Sequence, residues 1–251
     1  RLSVSVPDTI FCDSSTVNIT VSDLLGNVEG VKVYELTTTD SGGNVGGVQP
    51  TGEYAAGQDI SDQLVNLTDT VQVVTYHFKA RIRDDRVGYN FGYCDQGGDT
   101  LLTIYVNPTP RLSVSVPDTI YCDSSTITIT VNDLLGSVRG VKVYQLTTTN
   151  AGGNVLGVQP TGEYASGLDI TDKLVNLTSQ VQTITYQFKA RIRDSRPGHT
   201  GNYCDQGGDT LLTVYVNPTP RLSVSVPDTI FCDSSTAVSY THLTLPTNRE
   251  V

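Results

Sequence analysis

The residues best equipped for chemistry are five cysteines, Cys12, Cys94, Cys122, Cys204 and Cys232. Cys12 and Cys94 stand at the same interval as Cys122 and Cys204, inside two copies of a repeat. Two cysteines at identical offsets predict one disulfide per copy, Cys12–Cys94 and Cys122–Cys204, and hence an oxidising compartment. Closing a loop of about 80 residues contributes roughly 4–5 kcal/mol in the loop-entropy account. A metal site is the alternative, although no second Cys or His lies near either cysteine; two unpaired buried thiols are another. Cys232 has no partner of its own kind and is expected to stay unpaired.

Acid–base chemistry finds little support. Of the three histidines, His77 aligns with Gln187, His199 aligns with Tyr89, and His242 lies in a divergent tail. No histidine recurs in both copies, so a Ser-His-Asp triad is not indicated. Several aspartates do recur, and paired carboxylates can hydrolyse glycosides. Aspartate is equally at home in turns, where it bonds its own backbone. Calcium requires six to eight oxygens. Its candidates are Asp84, Asp95 and Asp99 with their counterparts Asp194, Asp205 and Asp209, in loops beside the last two strands. Asp95-Gln-Gly-Gly-Asp99 matches no defined calcium loop, and a solvated glycine turn is the plainer reading. No cofactor and no enzymatic activity are expected.

These residues are carried by a repeat. Residues 1–110 align with 111–220 without a gap, with 84 identical pairs and 26 different ones, and 221–236 repeat 1–16 letter for letter. The unit has the size of a whole domain, so the expected layout is repeat one over 1–110, repeat two over 111–220 and the start of a third over 221–236. Residues 237–251 abandon the pattern in mid-strand and read as a non-native tail, which would leave 221–236 an orphan. The chain as a whole reads as an internal stretch of a longer array.

Within a repeat the side-chain period is two. Val74, Tyr76, Phe78, Ala80 and Ile82 face one way and Thr75, His77, Lys79, Arg81 and Arg83 the other, which leaves no room for a helix. Leu2, Val4 and Val6, then Val17, Ile19 and Val21, alternate likewise. Further strands are expected from Val31, over 60–67 and over 100–106, with 37–47 as a wide loop or a ragged hairpin. The fold class is therefore all-β: tandem immunoglobulin-like sandwiches of about seven strands each, joined by Asn107-Pro-Thr-Pro110. Proline fixes φ and extends the residue before it. The linker should be short and stiff, and the sandwiches should stand end to end with a small interface at loop tips.

The net charge of −10 is uneven: repeat one holds six basic and fourteen acidic residues, repeat two eight and nine. Glu29 becomes Arg139, and Asp69 becomes Ser179. Acidity argues against nucleic acid as a partner, and no run is long and apolar enough for a membrane helix.

The order of Cys12-Asp-Ser-Ser15, residues 57–68, Thr75-Tyr-His-Phe78, Cys94 and Thr103-Ile-Tyr-Val-Asn-Pro108 resembles the PKD-like repeat domains of Bacteroidetes cell-surface and gliding-motility-associated proteins. It covers both full copies and the start of the third; the chain has no Trp and lacks the Trp-Asp-Phe-Gly-Asp-Gly signature of PKD domains proper. The resemblance implies a β-sandwich, secretion to the cell surface, often by the type IX route, and a stalk or adhesin role. It also implies O-glycosylation at Asp-Thr-aliphatic triplets, here Thr9, Thr70, Thr100, Thr119, Thr210 and Thr229. Asn18 and Asn66 fit the eukaryotic N-glycan sequon, which that source does not use. The expected function is a non-catalytic spacer whose partners are neighbouring repeats. The alternative is a carbohydrate- or protein-binding module, calcium-stabilised, contacting surface glycans or proteins through loops 38–56 and 84–93. Tyr89 and Phe91 against His199 and Gly201 is a mismatch that favours the spacer.

Overall fold

A computed structural model describes the chain except for residues 41, 88–91, 200, 226–239 and 242–251; residues 240–241 are described by their backbone alone. Its regular structure is almost wholly β. The first sandwich comprises β1 (Leu2–Ser5), β2 (Ile10–Phe11), β3 (Ser15–Asp23), β4 (Val31–Asp40), β5 (Val45–Gly46), β6 (Gly52–Ala55), β7 (Ile60–Asn66), β8 (Gln72–Arg83), β9 (Tyr93–Cys94) and β10 (Asp99–Val106). One sheet runs β1-β3-β7-β5, the other β2-β10-β8-β4-β6 with β9 added to β8. The opening segment contributes to both sheets: β1 pairs antiparallel with β3, and β2 runs parallel to β10. This is an immunoglobulin-like arrangement.

The second sandwich repeats it in β11 (Leu112–Ser115), β12 (Ile120–Tyr121), β13 (Thr126–Asp133), β14 (Val141–Asn150), β15 (Val155–Leu156), β16 (Gly162–Ala165), β17 (Ile170–Lys173), β18 (Val175–Asn176), β19 (Gln182–Arg193), β20 (Tyr203–Cys204) and β21 (Asp209–Val216). A 3-10 turn at Ala151–Gly153 interrupts the β14–β15 connection. Beyond it, β22 (Val224–Ser225) pairs with β23 (Tyr240–Thr241). Val224 and Ser225 therefore have backbone partners in Thr241 and Tyr240 of the tail.

Two strand expectations change. The stretch 37–47 is not all loop, because Thr37, Thr38 and Thr39 continue β4 opposite His77, Tyr76 and Thr75 of β8. Polar β-branched residues suit a strand whose neighbours supply the apolar face. The four-residue β6 was not anticipated, since Gly52 and Glu53 weaken its pattern; it pairs Tyr54 opposite Tyr34.

The alternation of β8 builds the core. Val74, Tyr76, Phe78 and Ala80 are buried, with Val17, Ile19, Val21, Leu36, Leu64 and Ile104 around them. Tyr34 stacks on Tyr54 and tilts against Phe78, both at 5.6 Å between centroids. A buried tyrosine needs an acceptor for its hydroxyl. Tyr34 donates to the Gln58 carbonyl at 2.8 Å, and Tyr76 to Asp62 at 2.6 Å. In repeat two Tyr186 donates to Asp172 at 2.6 Å, and the Gln159 amide donates to the same carboxylate at 2.9 Å.

Burial pushes the Asp172 carboxyl above its ordinary value, and the Tyr186 hydroxyl opposes that rise. Tyr186→Phe should destabilise repeat two by about 1–3 kcal/mol, the cost of an under-satisfied buried acceptor. A raised folded-state value means the protonated form is favoured, so stability is lost as pH rises through it. The deficit of the variant should be smaller at pH 4 than at pH 7 in urea unfolding. An equal deficit at both would show that Asp172 is not the group affected.

Candidate functional site

Where the cysteines fall follows from strand register. Cys12 follows β2, whose Phe11 lies opposite Val106 at the end of β10, and Val106 lies opposite Gln72 at the start of β8. Cys94 lies on β9 opposite Ile82, near the end of β8. Ten residues of strand separate these levels, about 34 Å at 3.4 Å per residue. Disulfide-bonded cysteines have Cα atoms no more than about 7 Å apart. Cys12 therefore cannot reach Cys94, nor Cys122 Cys204, and the expected pairings within each repeat are corrected. The bond joins Cys12 of repeat one to Cys204 of repeat two, with Cα atoms 5.2 Å apart and a sequence separation of 192. Cys94 and Cys122 are free and exposed. Cys232 lies outside the described residues.

The turn holding Cys12 is built by its neighbours. Ser15 donates to the Cys12 carbonyl at 3.2 Å, and Ser14 takes a left-handed φ of 59° to close the turn. Asp13 anchors it from both oxygens: one accepts the Asn66 amide at 2.8 Å and the other accepts the Thr109 hydroxyl. Through Thr109 the same turn seizes the linker. The linker is further fixed by Asn107, whose amide donates to the Phe11 carbonyl at 2.8 Å and so prolongs the β2–β10 pair.

Around the disulfide the two repeats meet along a broad seam. The Asn107 side chain donates to the Arg139 carbonyl at 2.9 Å and accepts the Arg139 amide at 2.7 Å. The Arg139 guanidinium lies 3.9 Å from the centroid of the Tyr105 ring, a cation–π contact. Gly136 donates to the Asp69 carbonyl at 2.9 Å and Val71 to the Ser137 carbonyl at 2.7 Å, a short backbone ladder between the repeats. Asp69 also pairs with Arg111. A Cβ on Gly207 would come within 2.0 Å of the Pro110 carbonyl oxygen, so only glycine permits this approach. Asn107 is 1% exposed, and Pro108 and Pro110 are buried. The expected small contact at loop tips is thus replaced by an interface that engulfs the linker.

Arg196 completes it. Its guanidinium donates to both Asp8 oxygens, at 2.7 and 2.9 Å, and to Asp194 at 2.6 Å. The Asp194 and Asp8 carboxylates hold the guanidinium well above its usual range. Arg196 in turn draws the Asp8 carboxyl down to about 2. Asp8, Asp194 and His199 are also the group of potential metal ligands among the described residues, with ligand atoms within 4.8 Å of one another. Arg196 already supplies the positive charge between the two carboxylates.

The other sequence candidates are dispersed. Asp95 pairs with Lys79 at 3.4 Å, Asp99 with His77 at 3.2 Å, and Asp205 with Lys189 at 3.5 Å. Asp209 accepts from Gln187 at 2.7 Å, so the change from His77 keeps a donor opposite that aspartate. Asp84 binds Arg86. Neither set of three is gathered into one ligand group. Thr9 and Thr119 are exposed, whereas Thr70, Thr100 and Thr210 are half-buried, and Thr229 lies outside the described residues with Tyr89, Phe91 and His242. Asn66 is buried and its side-chain amide donates to the Thr70 and Val106 carbonyls, so it is a structural residue. Sequence reasoning missed Asp8, Arg196, Asn107 and Arg139. Its one signal was the charge change at Glu29/Arg139 and Asp69/Ser179, two positions that lie on opposite sides of this seam.

No family model matches the chain, and no curated protein does. Among solved structures, E. coli alpha-2-macroglobulin overlaps 90% of this chain at 11% identity and a TM-score of 0.31; the chain spans 17% of its length. The D0-D1 domain of intimin overlaps 86% of this chain and 97% of its own, at 13% identity and 0.26. The fibronectin(III)-like modules of Clostridium thermocellum CbhA overlap 86% and 95%, at 10% and 0.32. No conclusion about function follows from overlaps this low.

Two outcomes test the seam. Gly207→Ala forces the linker and the loop after Cys204 apart, so it should lower stability by about 1–3 kcal/mol, seen as a lower Tm in calorimetry; an unchanged Tm would refute the close approach. Asp8 has a folded value of about 2 against 3.8. Its contribution is present above about pH 4 and is lost as pH falls toward 2. Asp8→Asn should therefore show a shallower acid-side fall in Tm than the parent chain. A parallel fall would mean that Asp8 and Arg196 do not interact.

Proposed function

We propose that this chain is a run of non-catalytic spacer repeats from an extracellular, adhesin-like surface protein. Its task is to hold whatever it carries away from the cell under tension. The observation that carries the reading is the Cys12–Cys204 bond across the seam. A disulfide supports an oxidising location, and the PKD-like resemblance supports a Bacteroidetes surface protein exported by the type IX route. The two repeats are the chain's own first partners. The six threonines, of which Thr9 and Thr119 are exposed, are proposed O-glycan acceptors.

The bond has a mechanical consequence. Tension entering before Cys12 crosses to Cys204 through sulfur and bypasses the chain between them. That shields a sequence separation of 192, about 670 Å of extended chain at 3.5 Å per residue. Pulled by its ends in a force spectrometer, the oxidised chain should withhold this length and release it once reductant is added. An oxidised chain that extends as far as the reduced one would remove the spacer reading.

A further inference from the structure

The seam has two halves, and the repeat places a counterpart of each elsewhere in the chain. Its lower half, on repeat one, presents Asp8, Cys12 and Asn107. The counterparts on repeat two are Asp118, Cys122 and Asn217. Asn107 is 1% exposed and Cys12 half-buried, whereas Asn217 and Cys122 are exposed and Ile120 is 59% exposed. Its upper half, on repeat two, presents Arg196, Cys204 and Arg139. The counterparts on repeat one are Arg86, Cys94 and Glu29. Cys204 is 6% exposed, and Cys94 is an exposed free thiol.

Shape agrees with this bookkeeping. Around Cys94 lies an open depression of about 460 Å³, bordered by Glu29, Ile82, Asp84, Arg86 and Tyr93. Its twin around Cys204 has only about 70 Å³ left, because Asp8, Ile10 and Cys12 of repeat one stand in it. The depression on repeat one is thus the one that, on repeat two, receives the segment containing β2.

We propose that these two outward faces are docking surfaces for a further copy of the same repeat. Each closes with a disulfide between a thiol placed like Cys12 and one placed like Cys94. The occupant is named by the chain, since after Asn217-Pro-Thr-Pro220 residues 221–236 reproduce 1–16 in the same register. Asp118 offers the carboxylate that an arginine placed like Arg196 grips. Arg86, held by Asp84 as Arg196 is by Asp194, offers the guanidinium that a carboxylate placed like Asp8 grips. Glu29 replaces the arginine that stacks on Tyr105, so the upper face of repeat one is the weaker mate. Each bond forms when two thiols give up two protons and two electrons to a disulfide oxidant such as oxidised glutathione, leaving two glutathione thiols. This deepens the spacer reading and rests on it for the oxidising compartment.

The test completes the third copy. Residues 127–220 are appended after Thr236 in place of 237–251, and the chain is oxidised in a glutathione buffer and mapped without reduction. Cys122 should be bonded to the cysteine of the third copy that corresponds to Cys204, with Cys94 and Cys232 free. Asp118→Arg should lower the bonded fraction roughly fivefold, about 1 kcal/mol of ion pairing. Reversing the third copy's matching arginine to Asp should restore it. A free Cys122, a Cys122–Cys204 bond, or a yield indifferent to both reversals would overturn the proposal. A chain that forms the second bond yet scatters as a compact, globular body would remove the spacer reading and leave this one standing.

Discussion

The length of β8 and β19 governs the design. A continuous antiparallel strand places whatever precedes β10 at one end of the sandwich and whatever follows β2 at the other. The two thiols of one repeat are therefore held apart by the repeat's own core. A bond can form only with a neighbour, and the neighbour's register decides which. Everything at the seam depends on that separation. The Cys12 turn sits at the end of repeat one nearest the linker, and β20 lifts Cys204 to the facing end of repeat two.

Around this constraint the polar contacts have a common logic. A four-residue linker between two folded bodies leaves backbone groups that must find partners when buried. Asn107 satisfies the Arg139 backbone with both ends of one side-chain amide. Asp13 ties the cysteine turn to β7 and to the linker at once. Arg196 bridges carboxylates from the two repeats, where its planar fork can meet both. The sulfur bond thus closes a geometry already specified by hydrogen bonds and charge, and it limits hinge motion that an uncrosslinked interface would permit.

Much of this was legible in the residues. The period of two from Val74 to Ile82, the repeat spacing and the proline exit were enough for tandem sandwiches. The core identities followed from the same alternation. Register was not legible: identical cysteine offsets are compatible with pairing inside a repeat and with pairing from one repeat to the next. Only the placement of β2 beside the far end of β10 separates the two. Arg196 and Asp8 gave no signal, because an aspartate before a strand and an arginine in a loop are ordinary turn residues until the neighbouring repeat is docked. The change from Glu29 to Arg139 marks a position where repeat two meets Tyr105 through a guanidinium and repeat one carries a carboxylate.

The central claim is that covalent continuity runs between repeats rather than within them. Peptide mapping of the purified, oxidised chain under non-reducing conditions tests it most directly. The account predicts one linked pair of peptides containing Cys12 and Cys204, with Cys94 and Cys122 alkylated as free thiols before reduction. Recovery of Cys12 linked to Cys94, and of Cys122 linked to Cys204, would contradict it.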